Sequence, residues 1–277
     1  MDKENLPSIS FSSNENYLLS KYDLLISIAV PYSIHWGVAA AWSQQKCAKV
    51  WVADCGDPYC LQENDTFKPP FYFHWVEKWF MRKVDFISVP TENSFRGYFE
   101  EFHSKIQVIP QGFKFSDIQI KEPFQDSKIR FGYGGVFIPG KRDPKQFIDY
   151  IRALPDSKDF EFHIHTSTPQ FVEPLIKNET RIILCPPIDR VDLLEKFSQF
   201  NFVINFSNQG LAQTPSKLID YFIIEKPILN IESNNFTPTV FEQFLKGNYE
   251  QQLHIKNGTG YQIENVVSKF LNLTECE

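Results

Sequence analysis

The densest grouping of residues able to hold a phosphate runs Ser207-Asn-Gln-Gly-Leu-Ala-Gln213-Thr214-Pro215-Ser216-Lys217-Leu-Ile-Asp220-Tyr221. An apolar run ends there, a glycine-containing loop follows, and Thr214-Pro215 opens a helix, with Thr as N-cap and Pro at the first helical position. Free backbone N–H groups, the positive end of the helix dipole and the Lys217 ammonium together suit a diphosphate. Gln213, Thr214 and Ser216 complete the polar rim, and Asp220, one turn in, is placed to accept hydrogen bonds from ribose hydroxyls. The competing reading is an ordinary capped helix with a solvated Lys and Asp.

A second grouping is Phe131-Gly-Tyr-Gly134-Gly135-Val-Phe-Ile-Pro-Gly-Lys141-Arg142-Asp-Pro. Glycines at a strand end let backbone approach a ligand closely, and an arginine beyond them suits bidentate contact with phosphate. The run matches neither the G-x-G-x-x-G fingerprint nor a Walker loop, and a hairpin with solvated charges competes. A third is Val52-Ala-Asp54-Cys-Gly-Asp57-Pro58, where two carboxylates at a strand end offer a base for a sugar hydroxyl or simply form a turn. Ser33 and His35 stand at a helix start but do not face each other, so His35 is read as a hydrogen bonder facing the cleft rather than half of a catalytic pair. His163 and His165 share one strand face without a third ligand in view, and no metal site is expected. The aromatic run from Phe67 to Met81 fits a bilayer surface or a lipid-linked acceptor, and equally a core or subunit contact.

These groups belong to a chain of 277 residues, long enough for two α/β domains. It is 42% hydrophobic and 16% aromatic, so each half can bury a core of its own. A net charge of −6 argues against nucleic acid, which requires a basic stripe. Five cysteines without C-x-x-C spacing read as free thiols. The first residues lack a signal-peptide pattern, and no run reaches the ~18 apolar residues of a membrane span. The expected location is the cytoplasm, with the inner face of the cell membrane as an alternative through Phe67–Met81.

Apolar runs alternate with helical patterns. Strands are expected at Asp23–Val30, Lys49–Asp54, Asp85–Val89 and Gln107–Ile109, with helices at Ile34–Gln45, Phe71–Lys83 and Thr91–Phe102 between them. Phe115–Lys128 lacks a period and reads as a linker. The alternation then restarts with strands at Ile129–Val136, Phe160–His165, Arg181–Cys185, Asn201–Phe206 and Pro227–Ile231. Their helices fall at Pro144–Leu154, Pro169–Lys177, Arg190–Phe200, Pro215–Ile224, Thr237–Leu245 and Ile263–Leu271. Continuous apolar strands separated by helices indicate parallel sheets covered on both faces. The pattern predicts two Rossmann-like α/β domains, residues 1–120 and 126–277, meeting at a cleft, the first with fewer strands. Ligands in such sheets bind beyond the carboxyl ends of the strands, where all three groupings lie.

Read together, these segments resemble glycosyltransferase family four proteins of the GT-B fold. Val52-Ala-Asp-Cys-Gly-Asp-Pro is similar to their ADFRDPW segment, and Val108-Ile-Pro-Gln-Gly-Phe to their VIPNG segment. Gly134-Gly-Val…Lys141-Arg-Asp-Pro is similar to their Gly-then-basic donor loop. Pro215-Ser-Lys-Leu-Ile-Asp-Tyr-Phe-Ile-Ile-Glu-Lys-Pro-Ile-Leu is similar to their donor helix, PSKLxEYxxxxKPIL. The resemblance implies metal-independent, anomer-retaining transfer from a nucleoside-diphosphate sugar to a saccharide or lipid-linked acceptor. It assigns the diphosphate to Lys141, Arg142, Ser216 and Lys217, and the ribose to Asp220. There are two departures. Ala212, flanked by Gln213, stands where the family carries the first acid of an E-x7-E pair, and the first domain lacks the family's opening strand–helix units. A non-catalytic nucleotide-sugar-binding or scaffold protein is therefore the second reading, and a hydrolase or epimerase on a similar frame the third.

Overall fold

The computed structural model describes residues 22–44, 46–61, 69–207, 216–232 and 235–275. The chain divides into two compact units, Met1–Gln111 with Val266–Glu277, and Gly112–Asn265.

In the first unit, strands β1 (Tyr22–Ile28), β2 (Ala48–Asp54), β3 (Phe86–Val89) and β4 (Ile106–Val108) form one parallel sheet in sequential order. Its central strand shows why the run Val50-Trp-Val-Ala53 is apolar throughout: alternate side chains leave on opposite faces, and both faces are covered. Trp51 and Ala53 enter a core with Ala39 and Trp42 of helix α1 (Ser33–Trp42) and Phe80 and Met81 of helix α2 (Phe73–Lys83). Val50 and Val52 turn to the other face, against Val266, Phe270 and Leu273. Those residues come from the chain's last helix and the turn after it, so the C-terminal segment expected within the second domain closes the sheet of the first.

The expected helix at Thr91–Phe102 is instead two 3-10 turns, Glu92–Gly97 and Glu100–Lys105. Gly97 passes so close to Pro58 that a Cβ would stand 2.4 Å from its ring, and Tyr98 is extended with its hydroxyl donating to Cys55 O at 3.2 Å. The helix is broken to bury Tyr98.

The second unit is a five-stranded parallel sheet of β5 (Ile129–Gly134), β6 (Phe160–His165), β7 (Ile182–Cys185), β8 (Phe202–Ser207) and β9 (Ile228–Glu232), in the order β7-β6-β5-β8-β9. With four strands against five among the described residues, the first sheet is the smaller, as expected. Helices α3 (Lys145–Ala153) and α6 (Pro238–Phe244) cover one face with Phe147, Ile148, Ile151, Phe241 and Phe244, meeting Phe131, Phe162 and Phe202. Helices α4 (Arg190–Ser198) and α5 (Ser216–Ile223) cover the other with Leu194, Phe197, Leu218 and Ile219. Gly132 and Gly134 face α4, and a Cβ on either would stand 2.5 Å from Phe197 or Leu193. Helix α7 (Ile263–Asn272) ends the chain's regular structure.

Two expectations change here. The Phe115–Lys128 segment is not a free linker, because Ile118 is buried in the core under α4 and α5 and the unit begins at Gly112. The helix expected at Pro169–Lys177 is a single 3-10 turn, Pro169–Phe171. Pro174 explains the stop: its ring clashes with the carbonyl four residues back and disfavours a helical residue before it.

Candidate donor site at the switch point of the second sheet

The order of the second sheet runs outward from β5 in both directions, so the reversal lies between β5 and β8. Open α/β sheets bind ligands outside the carboxyl ends of the strands at that place. Pairing between β5 and β8 ends at Gly132↔Val203, while β5 stays paired to β6 as far as Gly134↔His165. The carboxyl end of β5 therefore leaves its β8 neighbour, and residues from both sides gather there. The first sheet, in sequential order, has no such reversal among its described strands.

Gly134 and Gly135 form the floor. The Gly134 amide donates to the Tyr221 hydroxyl of α5 at 3.4 Å, and the Gly135 amide to His165 O at 2.9 Å. Both donors are thus engaged; what the glycines offer a ligand is close approach. Gly135 has φ +144°, a backbone state that favours glycine, and a Cβ there would stand 3.1 Å from Lys217 Nζ. Beyond it the chain turns back through an antiparallel bridge Ile138↔Arg142, with Gly140 at φ +72°. That hairpin sends Arg142 towards Tyr133 and leaves Lys141 exposed.

Lys217, in the first turn of α5, has its Nζ fully buried and without a hydrogen-bond partner among the described residues. It lies 3.7 Å from the centre of the Tyr133 ring. Burial, and then repulsion by Arg142, hold its pKa well below the ordinary lysine range, against the pull of Asp220. A buried cation without a hydrogen-bond partner is costly, and a second cation beside it adds to the cost.

Asp220 is not free to meet a ribose. Arg190, first residue of α4, donates through Nε to its Oδ1 at 2.8 Å and binds the same oxygen through a second nitrogen. Burial raises the Asp220 pKa, opposed by Arg190 and Lys217. Gln213 and Thr214, and the side chain of Ser216, lie outside the described residues. Next along the strand ends, Thr166, Ser167, Cys185, Pro186 and Pro187 line a cavity of about 480 Å³ at the ends of β6 and β7, within the usual range of ligand pockets. His165 bonds Pro186 O at 2.9 Å through Nδ1 and stands 3.1 Å from Lys196 Nζ, and its strand neighbour His163 lies 3.1 Å from Glu161 through Nε2.

The first unit holds the other sequence candidates. His35 is fully buried: Nδ1 is 2.8 Å from Ser27 Oγ, Nε2 is 3.5 Å from Cys55 Sγ, and the ring stacks on Phe80. Burial lowers its pKa to about 4. The expected role as a hydrogen bonder facing a ligand is therefore corrected: His35 is a neutral core residue that ties α1 to the ends of β1 and β2. Asp54 accepts from Ser88 Oγ at 2.7 Å, and burial raises its pKa. Asp57 is exposed in the loop after β2, and its backbone carbonyl accepts from the buried Tyr32 hydroxyl. Of the two carboxylates, Asp57 is the accessible one.

Sequence reasoning missed Tyr133, Arg190 and Tyr221. Arg190 lies outside the three groupings read from the sequence, and nothing local marks the two tyrosines as site residues.

No family model matches the chain, and no curated protein matches it in sequence. Solved structures do. A glycosyltransferase from Rickettsia africae ESF-5 superposes with a TM-score of 0.64 at 12% identity, over 91% of this chain and 76% of that one. TarM superposes at 0.54 and 16% identity, over 91% of this chain and 54% of TarM. The pneumococcal O-GlcNAc transferase GtfA, solved with UDP and GlcNAc, superposes at 0.50 and 14% identity, over 90% and 56%. The chain thus spans little more than half the length of TarM and GtfA. At these identities the likeness establishes the fold: two Rossmann-like parallel-sheet units, as in GT-B glycosyltransferases.

Proposed function

We propose that this chain binds a nucleoside-diphosphate sugar in its second unit and transfers the sugar to a saccharide or lipid-linked acceptor in glycan biosynthesis. The observation that carries the reading is the Lys217 ammonium beside Gly135 at the switch point, buried and without a hydrogen-bond partner among the described residues. A diphosphate there meets Lys217 from α5 and Arg142 from the opposing loop, with Lys141 at the rim. Ser216, first residue of α5, adds the amide end of the helix, and Gln213 and Thr214 join as donors on the sequence reading alone. The cavity beside Thr166 and Pro186 accommodates the nucleobase. As the bond from the sugar's anomeric carbon to the diphosphate breaks, negative charge grows on the leaving oxygen, and two fixed cations stabilise it more than they do the ground state. The resemblance to retaining family four enzymes supports retention of anomeric configuration without a metal. Asp57, or Asp54 behind it, positions or deprotonates the acceptor hydroxyl.

Incubation with a panel of labelled uridine, guanosine and adenosine diphosphate sugars tests the reading. Transfer to a lipid or saccharide acceptor supports it; release of free or isomerised sugar alone would favour the hydrolase or epimerase reading. One observation favours a non-catalytic donor-binding protein: Asp220 is held by Arg190, and the sequence lacks the family's first acid at Ala212. Donor binding without turnover towards any acceptor would select that reading.

A further inference from the structure

Helix α2 of the first unit carries a feature that sugar transfer does not use. Phe71, Tyr72, Trp75 and Trp79 are exposed by 74%, 47%, 68% and 37%. The helical turn extends back before Phe73, since the Phe73, His74 and Trp75 amides bond Pro70, Phe71 and Tyr72 carbonyls. Residues 71, 75 and 79 therefore fall one turn apart in a single row, and the Phe71 and Trp75 rings meet edge to face at 6.0 Å. Glu77, Phe80 and Met81 point the other way, into the core. A row of large exposed aromatics is more than the scattered apolar residues a soluble surface tolerates.

The C-terminal end of the same helix is basic. Lys78 and Arg82 share one carboxylate, Glu101, at 2.6 and 3.7 Å. Lys83 lies 5.5 Å over the Trp79 ring and donates to Ser43, while Lys46 lies 5.6 Å over Trp42 of the neighbouring helix. Lys105 is turned to the helix-end carbonyls of Met81, Arg82 and Val84. Five cations thus stand around this end of the helix, two of them sharing Glu101 and Lys105 drawn to Asp85, in a chain whose net charge is −6. Tryptophan and tyrosine pair an apolar body with a polar tip and favour the headgroup level of a bilayer, and cations beside them favour anionic lipid. Among the described residues no helix is long and apolar enough to cross a membrane.

We propose that this face of α2 docks on the surface of an anionic phospholipid bilayer, with Trp75 and Trp79 at headgroup level and Arg82 and Lys83 against lipid phosphates. The proposal is independent of the donor site. Its local positive charge lies in a chain of opposite overall sign, so binding should weaken as salt screens the short-range attraction.

Flotation of the full chain with vesicles of equal phosphatidylglycerol and phosphatidylcholine tests it. Expected are binding at low salt, binding to pure phosphatidylcholine at least about tenfold weaker, and quenching of tryptophan fluorescence by brominated lipid. Trp75→Ser with Trp79→Ser should lose at least about tenfold in binding and most of the quenching. Arg82→Glu with Lys83→Glu should lose about fivefold or more per charge. Trp75 and Arg82 are the well exposed members of the pairs, whereas Trp79 is 37% exposed and Lys83 half-buried. Trp75→Ser alone and Arg82→Glu alone, which should melt like the wild type, must therefore each weaken binding as well. Absence of binding to anionic vesicles at low salt, or undiminished binding by both double variants, overturns the proposal. So does sedimentation showing a wild-type dimer that Trp75→Ser with Trp79→Ser dissociates, which would assign the face to a second copy, or protection of these tryptophans by a soluble oligosaccharide but not by vesicles.

Discussion

The Lys217 ammonium stands 3.7 Å above the centre of the Tyr133 ring and reaches no hydrogen-bond acceptor among the described residues. A ring face attracts a desolvated cation by about 2 kcal/mol. Taking an ammonium out of water costs several kcal/mol. The ring therefore orients Lys217 without compensating its burial, and the proposed diphosphate supplies the missing charge.

Lys217→Met tests that balance directly. Methionine keeps the length and fills the same space without a charge. Removing an unpaired buried cation should raise the melting temperature of the free protein by a few degrees, of order 1 kcal/mol of stability or more. A destabilised Lys217→Met would mean that the ammonium is satisfied in the free protein and is there for structure.

The same lysine sets a pH dependence. Burial and Arg142 depress its folded pKa below the unfolded value. Between those two values the unfolded chain binds the extra proton, so stability from this group climbs as pH rises through the window. Below the folded pKa both states are protonated and the whole penalty applies. The melting-temperature gap between wild type and Lys217→Met should therefore narrow as pH rises towards the ordinary lysine pKa. A gap constant with pH would indicate an unperturbed lysine.

Gly135→Ala adds a Cβ at φ +144°, 3.1 Å from Lys217 Nζ. The strained backbone costs on the order of 1–3 kcal/mol, and the methyl group fills the space a phosphate would approach. Loss of both stability and diphosphate affinity is expected. Gly140, at φ +72° with open space around it, provides the comparison: Gly140→Ala should lose stability with affinity largely kept. Equal losses of affinity in the two variants would mean that Gly135 serves only the fold.

For the acceptor side, Asp57→Asn should lower turnover by ~10²–10⁴ while donor affinity and melting temperature stay near wild type. Asp54→Asn touches a half-buried group bonded to Ser88, so its effect should include stability. Normal turnover in both, or turnover lost only in step with folding, removes these carboxylates from the mechanism.

How far the sequence revealed this follows from where each signal lies. Every described strand lies near its expected place, the central ones because strands buried on both faces are continuously apolar, as in Val50-Trp-Val-Ala53. The switch-point residues were legible because Gly134-Gly135 stand at a strand end and Lys217 at a helix start. The C-terminal helix was placed wrongly, since its apolar stripe says that it covers a sheet but not which one. Two expected helices failed on tertiary or local grounds, Gly97 against Pro58 in one and Pro174 in the other. His35 looked available because a histidine near a helix start carries no mark of its burial under Phe80. The burial of Lys217 depends on Tyr133 and Gly135, more than eighty residues away in the chain, and no local pattern encodes it. The Arg190–Asp220 pair was missed for the same reason.

Calorimetric titration of the full chain with uridine and other nucleoside diphosphates tests the central claim most directly. The account predicts binding by at least one diphosphate and a roughly ten- to hundred-fold loss of affinity in Lys217→Met. Binding of equal strength in wild type and Lys217→Met, or no binding of any nucleoside diphosphate or its sugar, would contradict it.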